Sequence, residues 1–289
     1  MGRRSALALA LLVVWGCKDD KNGTGPAGSV SYANVKLTAP PSSGSFSTPA
    51  GKPPATVCRI ISATGPMKRD AASGGDGGVS SGDVMGDSWV DLNAGAKLGI
   101  KNGTTTREML FEGPGAVRAC VNGEEEMWMP NGVFTSVIGA GETPGSEVWI
   151  VTPHAVVRYG SGAHLTLTAS VPRLDVKLSS GSAWAYATDG AGWTEIAAGK
   201  SESFVSKKSP SQVLGDCEQA SKAAHDLGSQ IVSRDASLAE AAPQHVAARQ
   251  KAHAICAIAE LVAERSFDNI ERQRLLPRAR SANAKWREL

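Results

Sequence analysis

His164-Leu165-Thr166-Leu167-Thr168, followed a few residues later by Leu174-Asp175-Val176-Lys177-Leu178, places an apolar side chain at every second position. An extended strand turns successive side chains to opposite faces, so a period of two makes one face apolar and the other polar. These stretches read as strands of a half-buried sheet. Working outward, the same pattern recurs in Thr56-Val57-Cys58-Arg59-Ile60-Ile61, Trp89-Val90-Asp91-Leu92, Ala96-Lys97-Leu98-Gly99-Ile100, Ala116-Val117-Arg118-Ala119-Cys120-Val121 and Val148-Trp149-Ile150-Val151. Between them Lys101-Asn102-Gly103, Gly113-Pro114-Gly115, Asn131-Gly132 and Ser179-Ser180-Gly181 suit tight turns. Thirty-two Gly and fifteen Pro in 289 residues agree with many short strands and disfavour a long-helix protein. The expectation is an all-β domain over residues 55–207, sandwich or solenoid-like; pattern alone does not separate parallel from antiparallel pairing.

The N-terminus has a different composition. Met1-Gly2-Arg3-Arg4 precedes an apolar run from Ala6 to Trp15, which fits the hydrophobic part of an export signal and at about 1.5 Å per residue reaches only about half of a bilayer core. Val14-Trp15-Gly16-Cys17, followed by the polar Lys18-Asp19-Asp20, resembles the lipobox of bacterial lipoproteins. That resemblance implies a signal peptide over residues 1–16, cleavage before Cys17, and a diacylglycerol thioether and an amine-linked chain such as palmitate on Cys17. Several acyl chains anchor a protein almost irreversibly. Lys18, rather than Asp, after the Cys implies sorting to the outer membrane of a Gram-negative envelope. Residues 17–54, rich in Gly, Ser, Thr and Pro, read as a flexible linker spanning about 30–35 Å root-mean-square. Thirty Lys and Arg face twenty-eight Asp and Glu, and two of the former are Arg3 and Arg4 in the leader. The remainder balances, so no global positive field draws the chain to nucleic acid.

With Cys17 set aside, four of the five cysteines remain, and an oxidising envelope favours two disulfides, with three possible pairings. Val213, Cys217, Ala220, Ala224, Leu227 and Ile231 recur at steps of four and three, as do Ala248, Ala252, Ile255, Ala259 and Val262 with Cys256 beside them. Both stripes mark helices. Asp235-Ala236-Ser237 breaks the pattern, and Pro243 suits the first turn of a second helix. An antiparallel hairpin over 208–266 hinged there levels Cys217 with Cys256 and leaves Cys58 to pair with Cys120. The fold class is therefore α+β by segregated modules, an all-β domain followed by an antiparallel α-helical hairpin. Residues 267–289, with six Lys and Arg against three acidic residues, read as a basic, solvated C-terminal tail.

Several motifs in the β region carry a family resemblance. Asp83-Val84-Met85-Gly86-Asp87 ahead of a strand resembles the opening of the periplasmic domain of FecR-type proteins. Val151-Thr152-Pro153-His154-Ala155-Val156-Val157-Arg158-Tyr159-Gly160 resembles that family's Thr-Pro motif with its Arg and Gly turn, and Gly181 and Gly199 match later glycine positions. The similarity spans roughly residues 56–205 and departs from the family at Arg158-Tyr159-Gly160-Ser161, where Arg-Gly-Thr is usual. Such relatives relay signals from an outer-membrane receptor to a cytoplasmic sigma factor through an anti-sigma segment and a membrane helix. This chain shows neither segment, so the resemblance implies an envelope-facing recognition part with an envelope protein as partner.

No GxSxG elbow, HExxH helix, P-loop, GxGxxG turn or CxxC pair occurs. No nucleophile, base and orienting partner assemble from spacing, so a non-enzymatic protein without metal or cofactor is expected. His154 and His164 fall in strands and read as surface or satisfied core residues; His245 and His253 share a helix face two turns apart. Glu124-Glu125-Glu126 reads as an acidic turn leading into a buried strand. Trp89, Trp128, Trp149, Trp184 and Trp193 suit the core of a chain with few Phe and Tyr, or a groove that stacks on sugar rings. Two functions follow as expectations: non-catalytic protein recognition or sensing, and, as the alternative, binding of glycan or peptidoglycan through these tryptophans.

Overall fold

A computed structural model describes residues 57–70, 78–85, 88–102, 107–121, 125–137, 147–190, 192–233 and 238–288. The residues read as a signal segment and a linker, with Cys17, lie outside the described residues, as do Gly86 and Asp87. Among the described residues thirteen strands precede three helices: β1 Cys58–Thr64, β2 Met67–Arg69, β3 Trp89–Leu92, β4 Lys97–Asn102, β5 Glu108–Ala119, β6 Glu126–Val137, β7 Glu147–Val151, β8 Ala155–Gly160, β9 His164–Ala169, β10 Leu174–Ser180, β11 Ala183–Ala187, β12 Trp193–Ile196, β13 Ser201–Phe204, then α1 Pro210–Ser233, α2 Leu238–Glu264 and α3 Asn269–Lys285. The α+β class with segregated modules holds.

All thirteen strands join one hydrogen-bonded network, and the twelve-residue strands β5 and β6 fold it into two layers. The first half of β5 pairs with β4 and its second half with β3. The first half of β6 pairs in parallel with β7 and its second half antiparallel with β9. One layer, the outer sheet, therefore runs β1-β4-β5-β6-β9-β10-β13, and the other, the inner sheet, runs β2-β3-β5-β6-β7-β8-β11-β12. Strands that switch sheets in this way bend at irregular points. Here the β5–β6 register shifts between Glu112 and Arg118. Glycine is required at this bend: a Cβ on Gly115 would stand 2.4 Å from the Asn131 carbonyl oxygen. A shared core fills the space between the layers, drawing Ile100, Phe111 and Val176 from one and Val90, Met127 and Ile150 from the other.

The inner sheet is buried on both sides because the helices cover its far face. Trp89, Trp128, Val151 and Val156 pack there with Val213, Leu214, Ile255, Ile258 and Leu261, and α2 lies against β6, β7 and β8. The helical part and the β part thus share a core. The disulfides are Cys58–Cys120 and Cys217–Cys256, as expected. The first joins β1 of the outer sheet to the residue just past the inner-sheet half of β5; the second joins α1 to α2.

Two expectations are corrected. The stretch expected as a solvated tail over 267–289 is, through its described residues 267–288, a packed helix: α3 buries Leu275, Ala279, Ala282 and Asn283, followed by Trp286 just beyond its end. Leu275, Ala279, Ala282 and Trp286 stand at steps of four, three and four, an apolar stripe that the surrounding arginines and Pro277 obscure. Asp268 caps this helix, accepting from the backbone N–H of Ile270 at 2.8 Å and of Glu271 at 3.3 Å. Pro243 does not open the second helix, which begins at Leu238 and carries the proline inside it. The helical part is a three-helix layer rather than a hairpin alone. No helix among the described residues is long and apolar enough to cross a membrane.

Candidate functional site at the seam between sheet and helices

Directly paired residues of antiparallel strands point to the same face, and the register assembles two rows across the helix-covered face. One row crosses seven strands through Trp89, Arg118, Trp128, Val151, Val156, Tyr186 and Trp193. The neighbouring row runs through Glu126, Trp149, Arg158, Trp184 and Glu195. Aromatic and charged side chains therefore stand side by side. The Arg118 guanidinium lies 5.1 Å from the Trp128 ring centre, and that of Arg158 lies 5.8, 5.2 and 5.1 Å from those of Trp149, Trp184 and Trp193.

The helices meet these rows with matching polar groups. Glu264, at the end of α2, accepts from Arg118 at 2.8 Å and from the Trp89 indole at 3.1 Å. Arg265 pairs with Asp91 at 3.2 Å and covers the Trp89 ring. In the middle of α2, His253 bonds through Nε2 to the buried Glu126, whose other oxygen accepts from the Trp128 indole. The His253 ring stacks on Trp149, with centroids 4.2 Å apart and planes at 14°, and on Trp286 at 5.3 Å. Trp286 in turn donates to Asn283, and Asn283 to Glu260.

Two carboxylates on this face, Glu126 buried and Glu147 half-buried, are tuned in opposite directions. Burial by itself would push the Glu126 carboxyl up, but the charge and hydrogen bond of His253, the charge of Arg287 and the Trp128 bond outweigh it and hold it below the ordinary value. For Glu147, which faces Arg158 at 3.4 Å, burial wins over the attraction of Arg158 and Arg107 and raises the carboxyl. Burial also lowers the Arg158 guanidinium, against the pull of Glu147.

The family-motif residues do not converge on one point. Thr152 closes the β7–β8 turn, its hydroxyl donating to the Ala155 carbonyl at 2.8 Å and accepting from the Ala155 N–H at 3.2 Å. The Pro153 carbonyl accepts from Thr188 at 2.9 Å. Arg158 sits among the tryptophans. Gly160 meets the β10–β11 turn, where Gly181 has φ +82 and a Cβ would lie 2.5 Å from Ala163 Cα. Gly199 lies apart, beside Leu178. His154 Nδ1 accepts from the Ser206 N–H, which leaves Nε2 to donate to the Ser170 carbonyl; it is a satisfied structural histidine. His164 is exposed.

The pair that sequence reading missed is Glu126–His253. Each residue is conspicuous separately, but they are far apart in sequence and no local pattern couples them. A half-enclosed cleft of about 350 Å³ opens where Tyr186, near the end of β11, and Thr188, just beyond it, meet α1 and α2. Among the described residues no group of three or more His, Cys, Asp or Glu is placed to hold a metal ion. No protein-family model matches the chain, and no curated protein matches it.

Proposed function

We propose that the chain is a lipid-anchored protein of the Gram-negative cell envelope, most plainly of the outer membrane, whose FecR-like β domain and helical layer recognise an envelope protein without catalysis. The two disulfides support the compartment, since such bonds persist outside the reducing cytoplasm. The observation that carries the choice of function is the burial of the tryptophans. Trp89, Trp128 and Trp184 are 4%, 0% and 2% exposed, and Trp149 and Trp193 are half-buried against His253 and Tyr186. A glycan platform needs an aromatic face open to a sugar ring, and this arrangement spends those faces on the helical layer instead. Recognition through the surface of a stapled two-sheet, three-helix body is the reading that remains.

Crosslinking in intact cells followed by purification tests it. Enrichment of one specific envelope protein supports the reading; retention on peptidoglycan with no protein partner overturns it in favour of the glycan alternative. The anchor has its own test, because Cys17→Ser should abolish metabolic acyl labelling and release the protein from the membrane fraction.

A further inference from the structure

The cleft at the end of the seam has a chemistry of its own. Its walls are Ala220 and Ala223 of α1 and Ala248 of α2, and these small side chains leave open the space beside Tyr186 that larger residues would fill. The walls are held together covalently: Asp216 and Ile255, which also line it, are the immediate neighbours of Cys217 and Cys256. A cavity fixed in this way binds without first having to be ordered. Its volume of about 350 Å³ lies in the range of small-molecule sites, and at about 30 Å³ per heavy atom it takes about a dozen of them.

Charge selects the ligand. Of the charged groups lining the cleft, Lys208 already forms an ion pair with Asp216 at 2.8 Å and donates to the Thr188 carbonyl at 2.9 Å, so that pair is neutral and committed. Lys251 is exposed at the rim and makes no ion pair among the described residues. The exposed Gln219 amide shares that rim. An apolar lining of alanines, Ile255 and Tyr186 beside one uncommitted ammonium suits a molecule with one apolar body and one anionic end.

We infer that this cleft binds a small amphipathic carboxylate, the apolar chain lying over Ala220, Ala248 and Ile255 and the carboxylate meeting Lys251. The same chemistry is offered by a medium-chain fatty acid and by the C-terminal residue of an apolar peptide. The inference depends on neither the lipid anchor nor a protein partner.

Calorimetric titration of the full chain with decanoate, N-acetyl-leucine and uncharged decanol tests it. One equivalent of a carboxylate should bind, and whichever of the two acids saturates at lower concentration identifies lipid or peptide terminus as the source. Lys251→Glu should weaken binding about fivefold, the scale of a partly solvated ion pair. Ala223→Trp should abolish it by filling the cleft, whereas Lys177→Glu on the opposite side of the molecule should change nothing. Residues 177, 223 and 251 are all exposed, so the three replacements leave the core intact. Failure of both acids to bind, survival of binding in Ala223→Trp, or equal affinity for decanol and decanoate would overturn the inference.

Discussion

The two sheets of this protein are made from similar strands and end in opposite conditions. Across the outer sheet a row of paired residues reads Lys97, Glu112, Val133, Thr168, Asp175 and Ser203, a solvent face of charges and hydroxyls. Across the inner sheet the corresponding row carries Trp89, Arg118, Trp128 and Tyr186, with Glu126, Trp149, Arg158 and Trp184 beside it. The difference is what covers each face. Under water, a charge on a strand needs no partner. Under three helices, every charge needs an opposite charge, an aromatic face or a hydrogen bond, so the inner sheet has acquired all three.

Removing one carboxylate from each face tests this contrast most directly. Glu126→Ala leaves His253 and the Trp128 indole without their acceptor inside the seam and should cost about 3–5 kcal/mol, read as a fall in the denaturation midpoint with unchanged slope. A cost near zero would mean that the helices rest on the sheet through apolar contact alone. The disulfides come next. The chain-entropy relation assigns roughly 4 kcal/mol each to the Cys217–Cys256 loop, with its separation of 39, and to the Cys58–Cys120 loop, with its separation of 62. Replacing each pair by serine should therefore destabilise the helical layer and the sandwich about equally. A large asymmetry in thermal unfolding would show that one layer folds only with its staple.

Acid sharpens the comparison within the seam. The folded carboxyl of Glu126 lies below its ordinary 4.5, so its contribution is complete above that pH and drains away as the pH falls through the folded value. Glu147 is raised, so its penalty is full above the folded value and is relieved as the pH falls toward 4.5. In a pH series of denaturation midpoints, Glu126→Gln should flatten the acid limb. Glu147→Gln should instead raise stability at neutral pH and leave that limb in place. The smallest effect belongs to the outer sheet, where Lys97 and Glu112 are 3.4 Å apart and well exposed. Glu112→Ala should change stability by less than about 1 kcal/mol, and a loss comparable to that of Glu126→Ala would erase the distinction between the faces.

Much of the fold could be read from local pattern. Leu165, Leu167, Leu174, Val176 and Leu178 alternate because the outer sheet is buried on one side only. The runs Ala155-Val156-Val157 and Ala183-Trp184-Ala185-Tyr186 lack that alternation, and this was the available sign that the inner sheet is covered on both sides. The cysteine pairs were legible because the helical stripes placed Cys217 level with Cys256. The third helix was missed although Asp268 and Glu271 mark its start, since the excess of Lys and Arg at the C-terminus argued for a solvated end. Two of those arginines tie the helix to its neighbours: Arg278 grips Glu218 and Arg280 grips Glu260. Neither the seam nor the cleft was legible, because Glu126 and His253, like Tyr186 and Lys251, are neighbours only after the layers stack.

What the amino-acid order determines alone is the character of each segment: which stretches extend, which coil, where they turn, and which cysteines stand level. Periodicity and turn chemistry act over a few residues and need no knowledge of the rest of the chain. Only the tertiary structure decided which strand faces would be covered, because β5 and β6 bend from one layer into the other and the helices then lie on one of the two. The meaning of a tryptophan, an arginine or a glutamate in this protein depends on that choice, since burial, not residue type, sets whether a polar group must find a partner.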